Sequence, residues 1–136
     1  MRDKVEEKVS SYESRQENIR SLETPAIETF ENIYSDRDYL VRLEIPEFTA
    51  VCPKTGLPDF GTIYIDYRPA EVCLELKSLK EYFFFFRDIG IFHENLANKA
   101  LDDIVTYCQP NYIKLIAKYN VRGGIYATVE REYQKV

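Results

Sequence analysis

Tyr112-Ile113-Lys114-Leu115-Ile116-Ala117-Lys118-Tyr119-Asn120-Val121-Arg122-Gly123-Gly124-Ile125-Tyr126-Ala127-Thr128-Val129-Glu130-Arg131-Glu132-Tyr133 is two alternating segments joined by a turn. Alternation predicts strands over 112–121 and 125–133, and two adjacent glycines between such segments are a hairpin signal. The chain therefore ends in an antiparallel strand pair. Upstream lies helical territory. Leu74 to about Asp88 holds good helix formers and an apolar block, with Gly90 as a stop. A second helix is expected from about Glu94 to Cys108, where Leu96, Ala100, Leu101, Ile104 and Val105 trace one face and Pro110 follows the end.

Two more strands precede the helices. In Tyr39-Leu40-Val41-Arg42-Leu43-Glu44-Ile45 the apolar residues alternate with Arg42 and Glu44, and Pro46 is expected to end the strand. Thr62-Ile63-Tyr64-Ile65-Asp66-Tyr67 is the next, closed by Arg68-Pro69. The order is ββααββ, an α+β fold with an antiparallel sheet and two helices on one face. A four-stranded sheet has two unpaired edges, and pairing between subunits into a larger barrel would remove both. The folded part is expected to start near Tyr39. The polar residues 1–30 read as an N-terminal extension, either a loose amphipathic helix through Val5, Val9, Tyr12 and Ile19 or an arm that contacts a partner. Residues 31–136 form the single domain.

Between the first two strands lies Phe48-Thr49-Ala50-Val51-Cys52-Pro53-Lys54-Thr55-Gly56-Leu57-Pro58-Asp59-Phe60. Two prolines and a glycine between Cys52 and Asp59 forbid a continuous helix, so a shaped loop presents a thiol and a carboxyl together. Such a loop suits a nucleophile and a proton donor, although a cysteine alone is more often a small buried hydrophobe and a Pro-Asp pair more often a turn. Cys73 and Cys108 adjoin apolar helical segments and read as core. Lys77 and Lys80 share a helix face, which spacing alone would assign to solvent. His93-Glu94 opens the second helix, where Glu94 favours the dipole's positive end and capping would suffice as its role.

The totals narrow the function. The chain has 136 residues, 45% hydrophobic and 14% aromatic, which indicates one globular domain. A net charge of -5 argues against direct nucleic-acid binding. There is no apolar run near the roughly 18 residues that span a bilayer, and no signal-peptide core, so a cytoplasmic protein is expected. Three cysteines without CxxC fit free thiols, and a single His makes a metal site an unfavoured reading. No GxGxxG occurs among the five glycines, which excludes a Rossmann-type nucleotide site.

Together these residues closely resemble the NADPH-dependent 7-cyano-7-deazaguanine reductases, the nitrile reductases of queuosine biosynthesis known as QueF, in their short single-domain form. Glu75-Leu76-Lys77-Ser78-Leu79-Lys80-Glu81-Tyr82 matches the family's nicotinamide signature, with Glu81 where Leu or Tyr is usual. The loop from Phe48 to Asp59 and the pair His93-Glu94 match at the family's spacing. The resemblance implies the tunnelling fold, in which subunits join sheets into a barrel with active sites between them. It implies Cys52 as nucleophile through a thioimide and Asp59 as proton donor. Leu74, Glu75, Leu76, His93 and Glu94 would bind substrate, and Lys77, Ser78 and Lys80 would hold NADPH. With no glycine-rich loop, the cofactor would rest on side-chain cations, and Arg122 is a further candidate for a phosphate. Two other activities stay open: an amidine-forming relative that uses the same thioimide without reduction, and a non-catalytic purine- or pterin-binding module.

Overall fold

The computed structural model describes residues 16–136. Four long strands form one antiparallel sheet: β2 (Val41–Val51), β3 (Pro58–Arg68), β5 (Tyr112–Tyr119) and β6 (Thr128–Gln134), in the order β2-β3-β5-β6. A small second sheet pairs β1 (Thr29–Glu31) with β4 (Val72–Leu74), also antiparallel. Two helices, α1 (Leu76–Phe85) and α2 (His93–Cys108), lie between β4 and β5 in the chain. The α+β class and the ββααββ order of the main elements are both as expected.

Strand alternation builds the core. Ile63, Ile65 and Tyr67 of β3 and Ile113, Leu115 and Ala117 of β5 are buried on one face, against Leu96, Ala100, Leu101 and Ile104 of α2. On the other face Thr62, Tyr64, Asp66, Lys114 and Ile116 stay half-exposed. The aromatic run divides by helical position: Tyr82, Phe83 and Phe86 are buried, whereas Phe84 is exposed. Cys73 and Cys108 are buried, in agreement with their reading as core.

Three expectations need correction. Pro46 does not end β2. The strand continues to Val51 through a register shift between Ile45 and Phe48. β2 is an edge strand, where a bulge accommodates a residue without an N–H donor. Leu74 belongs to β4, and α1 begins two residues later because Glu75 caps it, its carboxylate accepting from the N–H groups of Lys77 (2.9 Å) and Ser78 (2.7 Å). Packed structure also begins before Tyr39. Ile19, in a 3-10 helix spanning Gln16–Ser21, and Ile27 are both buried in the main core. Each such burial is worth about 1.5–3 kcal/mol. Val5, Val9 and Tyr12, the rest of the amphipathic stripe, lie outside the described residues.

Candidate active site

The Cys52 loop is shorter than its sequence suggested. Phe48 to Val51 continue β2, and Asp59 sits on β3 opposite Ala50. Only Cys52 to Leu57 turn, closed by Cys52 N–H to Leu57 O (2.8 Å) and Gly56 N–H to Cys52 O (2.9 Å). Gly56 has φ +71°, a conformation that favours glycine. Val51 is pinned from the side: its N–H donates to Ile89 O, and its carbonyl accepts from Ile91 N–H. This bridge fixes the segment entering α2, and it brings His93 to the loop. The Gln16 side chain braces the same segment, accepting from Phe92 N–H and Asn95 and donating to Gly90 O.

At the centre is Asp59, a carboxylate on a strand face that is otherwise apolar, and only 5% exposed. His93 Nε2 lies 3.2 Å from its Oδ2, and Arg122 Nη1 donates to its Oδ1 at 2.6 Å. Arg122 Nη1 also donates to the Pro58 carbonyl, and Nη2 reaches Thr55 Oγ1 at 3.4 Å. The His93 ring stacks on Tyr119 with centroids 3.5 Å apart and planes 9° apart, which sets the imidazole's orientation. The Tyr119 hydroxyl is buried without a hydrogen-bond partner among the described residues. Burial, and then the charges of Asp59 and Glu94, raise its pKa.

Cys52 is half-buried. That burial pushes its thiol up, but the Thr55 hydroxyl and the backbone N–H groups of Thr55 and Lys54 outweigh it, so the net direction is down, against the opposing charge of Asp59. Hydrogen bonds to a sulfur favour its thiolate. By contrast, burial pushes the Cys108 thiol up to about 12.

Of the site residues expected from sequence, Cys52, Asp59 and His93 come together, and Glu94 stands next to them, exposed on the first turn of α2. The second group lies elsewhere in the chain. Leu74 is buried in the core, whereas Leu76 is exposed. Hydrogen bonding by the N–H of Ser78 lowers the pKa of Glu75; desolvation opposes it, and the N–H of Lys77 adds to the lowering, so the net direction is down. Ser78 is 2% exposed, its hydroxyl accepting from Glu28 N–H (2.8 Å) and donating to Glu75 O (2.9 Å). Lys77 and Lys80 are exposed on α1. Lys80 lines a cleft of about 750 Å³ with Ile45, Pro46, Phe48, Phe84 and Arg87. No hydrogen bond or ion pair among the described residues joins this group to Cys52, Asp59 or His93.

Sequence reasoning missed Thr55 and Tyr119 and gave Arg122 a different partner. The structure directs Arg122 at Asp59. The signal was present but non-local: Gly61 pairs with Tyr119, so Asp59 lies level with the start of the β5–β6 turn.

Known proteins were compared with this arrangement. Residues 58–136 match the family model described as QueF-like protein. Over 107 residues the chain is 57% identical to the NADPH-dependent 7-cyano-7-deazaguanine reductase of Halorhodospira halophila, covering 79% of this chain and 91% of that one. The chain belongs to the QueF family. A second relative of the same name, from Chlorobaculum tepidum, is 56% identical over 109 residues, 80% of this chain and 93% of that one. Among solved structures, the archaeosine synthase QueF-Like in its apo form superposes with a TM-score of 0.67 at 28% identity, over 71% of this chain and 95% of that one. The QueF family's tunnelling fold is thus this chain's fold. The family model starts at Pro58, six residues beyond Cys52.

Proposed function

We propose that the chain is an NADPH-dependent reductase that converts the nitrile of 7-cyano-7-deazaguanine to an aminomethyl group, a step of queuosine biosynthesis. The observation that carries this reading is the loop in which a half-buried, activated thiol shares its site with a buried carboxyl. The relatives' shared name supplies substrate and cofactor.

The residue chemistry suits the reaction. A nitrile carbon accepts hydride poorly, so the sulfur of Cys52 first bonds to it and one C–N π bond breaks. The nitrogen takes a proton from Asp59, which avoids an amide-like anion, and the thiol's proton replaces the one given up. The product is a covalent thioimide on Cys52. Two NADPH would supply the hydrides, one to the thioimide carbon and one to the imine left when the C–S bond breaks. Solvent supplies two protons, one to the nitrogen and one that returns Cys52 to its thiol. Cys52 departs as a thiolate, which the Thr55 hydrogen bonds favour. Glu94 accepts paired N–H groups from the guanine-like edge, with His93 beside it, and this selects purine-type rings.

The residues around α1 fit the cofactor. Lys77 and Lys80 offer cations to phosphates, and the cleft beside Lys80 adds aromatic and aliphatic wall. Ser78, buried under Glu28, contributes by holding the first turn of α1 rather than by direct contact. Sites built between subunits of a homo-oligomer would bring the Glu75–Lys80 group, which no hydrogen bond or ion pair joins to Cys52 among the described residues, to the thiol of a neighbouring subunit. Residues 31–136 are the reductase domain and 1–30 a polar extension whose described part packs on it. No described helix is long and apolar enough to cross a membrane; a cytoplasmic location belongs to this reading through the biosynthetic relatives. Its substrate is the free base, without direct contact to nucleic acid.

The test follows NADPH absorbance with 7-cyano-7-deazaguanine present. Oxidation of two NADPH per nitrile is expected. The likeness to an archaeosine synthase motivates a second reading, amidine formation from the same thioimide. A Cys52 adduct without NADPH oxidation would favour that reading, and no adduct at all would leave a binding module.

A further inference from the structure

The geometry points to Arg122 as a positioning residue for the nitrile addition: a guanidinium on the β5–β6 turn that fixes the acid and the thiol-holding threonine together. This inference rests on the reading of Cys52 and Asp59 as nucleophile and acid.

Three contacts carry it. Arg122 Nη1 donates to Asp59 Oδ1 at 2.6 Å, and Asp59 Oδ2 is left facing His93 Nε2 at 3.2 Å. A guanidinium only donates and keeps its proton. A proton held by Asp59 is therefore better placed on Oδ2, because Oδ1 already accepts a charge-assisted bond. Arg122 thus selects the oxygen that donates. Its second nitrogen reaches Thr55 Oγ1 at 3.4 Å, and the Leu57 N–H donates to that same oxygen at 3.2 Å. With its oxygen accepting from two N–H groups, the Thr55 hydroxyl turns its own hydrogen to the sulfur of Cys52. The third contact, to the Pro58 carbonyl, holds the loop's far arm.

The hairpin does not need this side chain to fold. Its turn is closed by backbone bonds between Arg122 and Ile125 (2.9 and 3.0 Å), and Gly123 and Gly124 supply the positive φ that such a two-residue turn requires. Asn120 N–H to Phe60 O (2.8 Å) ties the strand's end to β3. The side chain, 35% exposed, is directed instead at the catalytic loop.

The test compares full-length wild type, Arg122→Ala and Arg122→Lys. Arg122→Ala is expected to lose about a hundredfold in kcat with little change in KM for NADPH, since a small misplacement of reacting groups costs that much. Added guanidinium ion restores part of that rate, but none to Cys52→Ala. Arg122→Lys keeps the charge without the planar fork and falls between the two. A second readout needs no substrate: the pH midpoint for alkylation of Cys52 by iodoacetamide moves upward in both variants. Wild-type turnover in Arg122→Ala, a loss confined to KM for NADPH, or an unmoved alkylation midpoint would each overturn the inference. Failure of the wild type to oxidise NADPH, with the midpoint still shifted, would instead count against the proposed reaction.

Discussion

Cys52, Cys73 and Cys108 differ in reactivity for reasons visible in their surroundings. Only Cys52 combines access with hydrogen-bond donors, from Thr55 and Lys54. Limited iodoacetamide should therefore modify Cys52 first, read by peptide mass. Because the Thr55 hydroxyl lowers the thiol's pKa, Thr55→Val should raise it, so that alkylation begins at higher pH than in wild type. An unchanged profile would leave the thiol's activation to other groups. Tyr119 makes the opposite case. Its buried hydroxyl lacks a partner among the described residues, and an unmade buried hydrogen bond costs about 1–3 kcal/mol. Tyr119→Phe should keep the stacking on His93 and leave stability equal or up to about 1 kcal/mol higher in urea unfolding. A clear loss would show that the hydroxyl is paired. At this scale the proximity of Cys52 and Asp59 was legible because a Pro- and Gly-bearing loop is a local signal, whereas His93 entered only through the family resemblance. Arg122 was not, because its contact with Asp59 exists only once β3 and β5 are in register.

The elements were mostly legible, since alternation and turn glycines are written locally in β3, β5 and the Gly123-Gly124 turn. The failure at Pro46 came from applying a rule for central strands to an edge strand. Next to that bulge, Gly61 of β3 pairs with Phe48 on one side and Tyr119 on the other. A Cβ there would lie 2.6 Å from the backbone oxygen of Lys118, which cannot move without breaking the ladder. Gly61→Ala should destabilise by roughly 2–4 kcal/mol in denaturant unfolding, the range for a buried steric conflict. A change within about 0.5 kcal/mol would contradict the register. The α1 cap gives a pH dependence. The pKa of Glu75 is lowered in the fold, so its contribution is present above the unfolded carboxylate range and is lost as pH falls through the folded value. Wild type should accordingly lose more stability on acidification than Glu75→Gln, compared by thermal melts across that range.

At the scale of the whole molecule, the sheet order leaves β2 and β6 as edges, each with a row of backbone groups open to pairing. Among the described residues no hydrogen bond or ion pair joins the Glu75–Lys80 group to the thiol of its own chain, and the proposal of sites shared between subunits is open to a direct test of assembly. Light scattering at micromolar concentration should report an oligomer, and a monomer with full activity would remove sites shared between subunits. Nothing local in the sequence encodes which strand meets which across such an interface. The proposed reaction depends most on the bond between Cys52 and the nitrile carbon, and intact mass measured after incubation with 7-cyano-7-deazaguanine without NADPH tests it directly. The expected result is a gain of one substrate mass per chain, mapped to Cys52 and absent from Cys52→Ala. An unmodified chain, or label on Cys73 or Cys108, would contradict it.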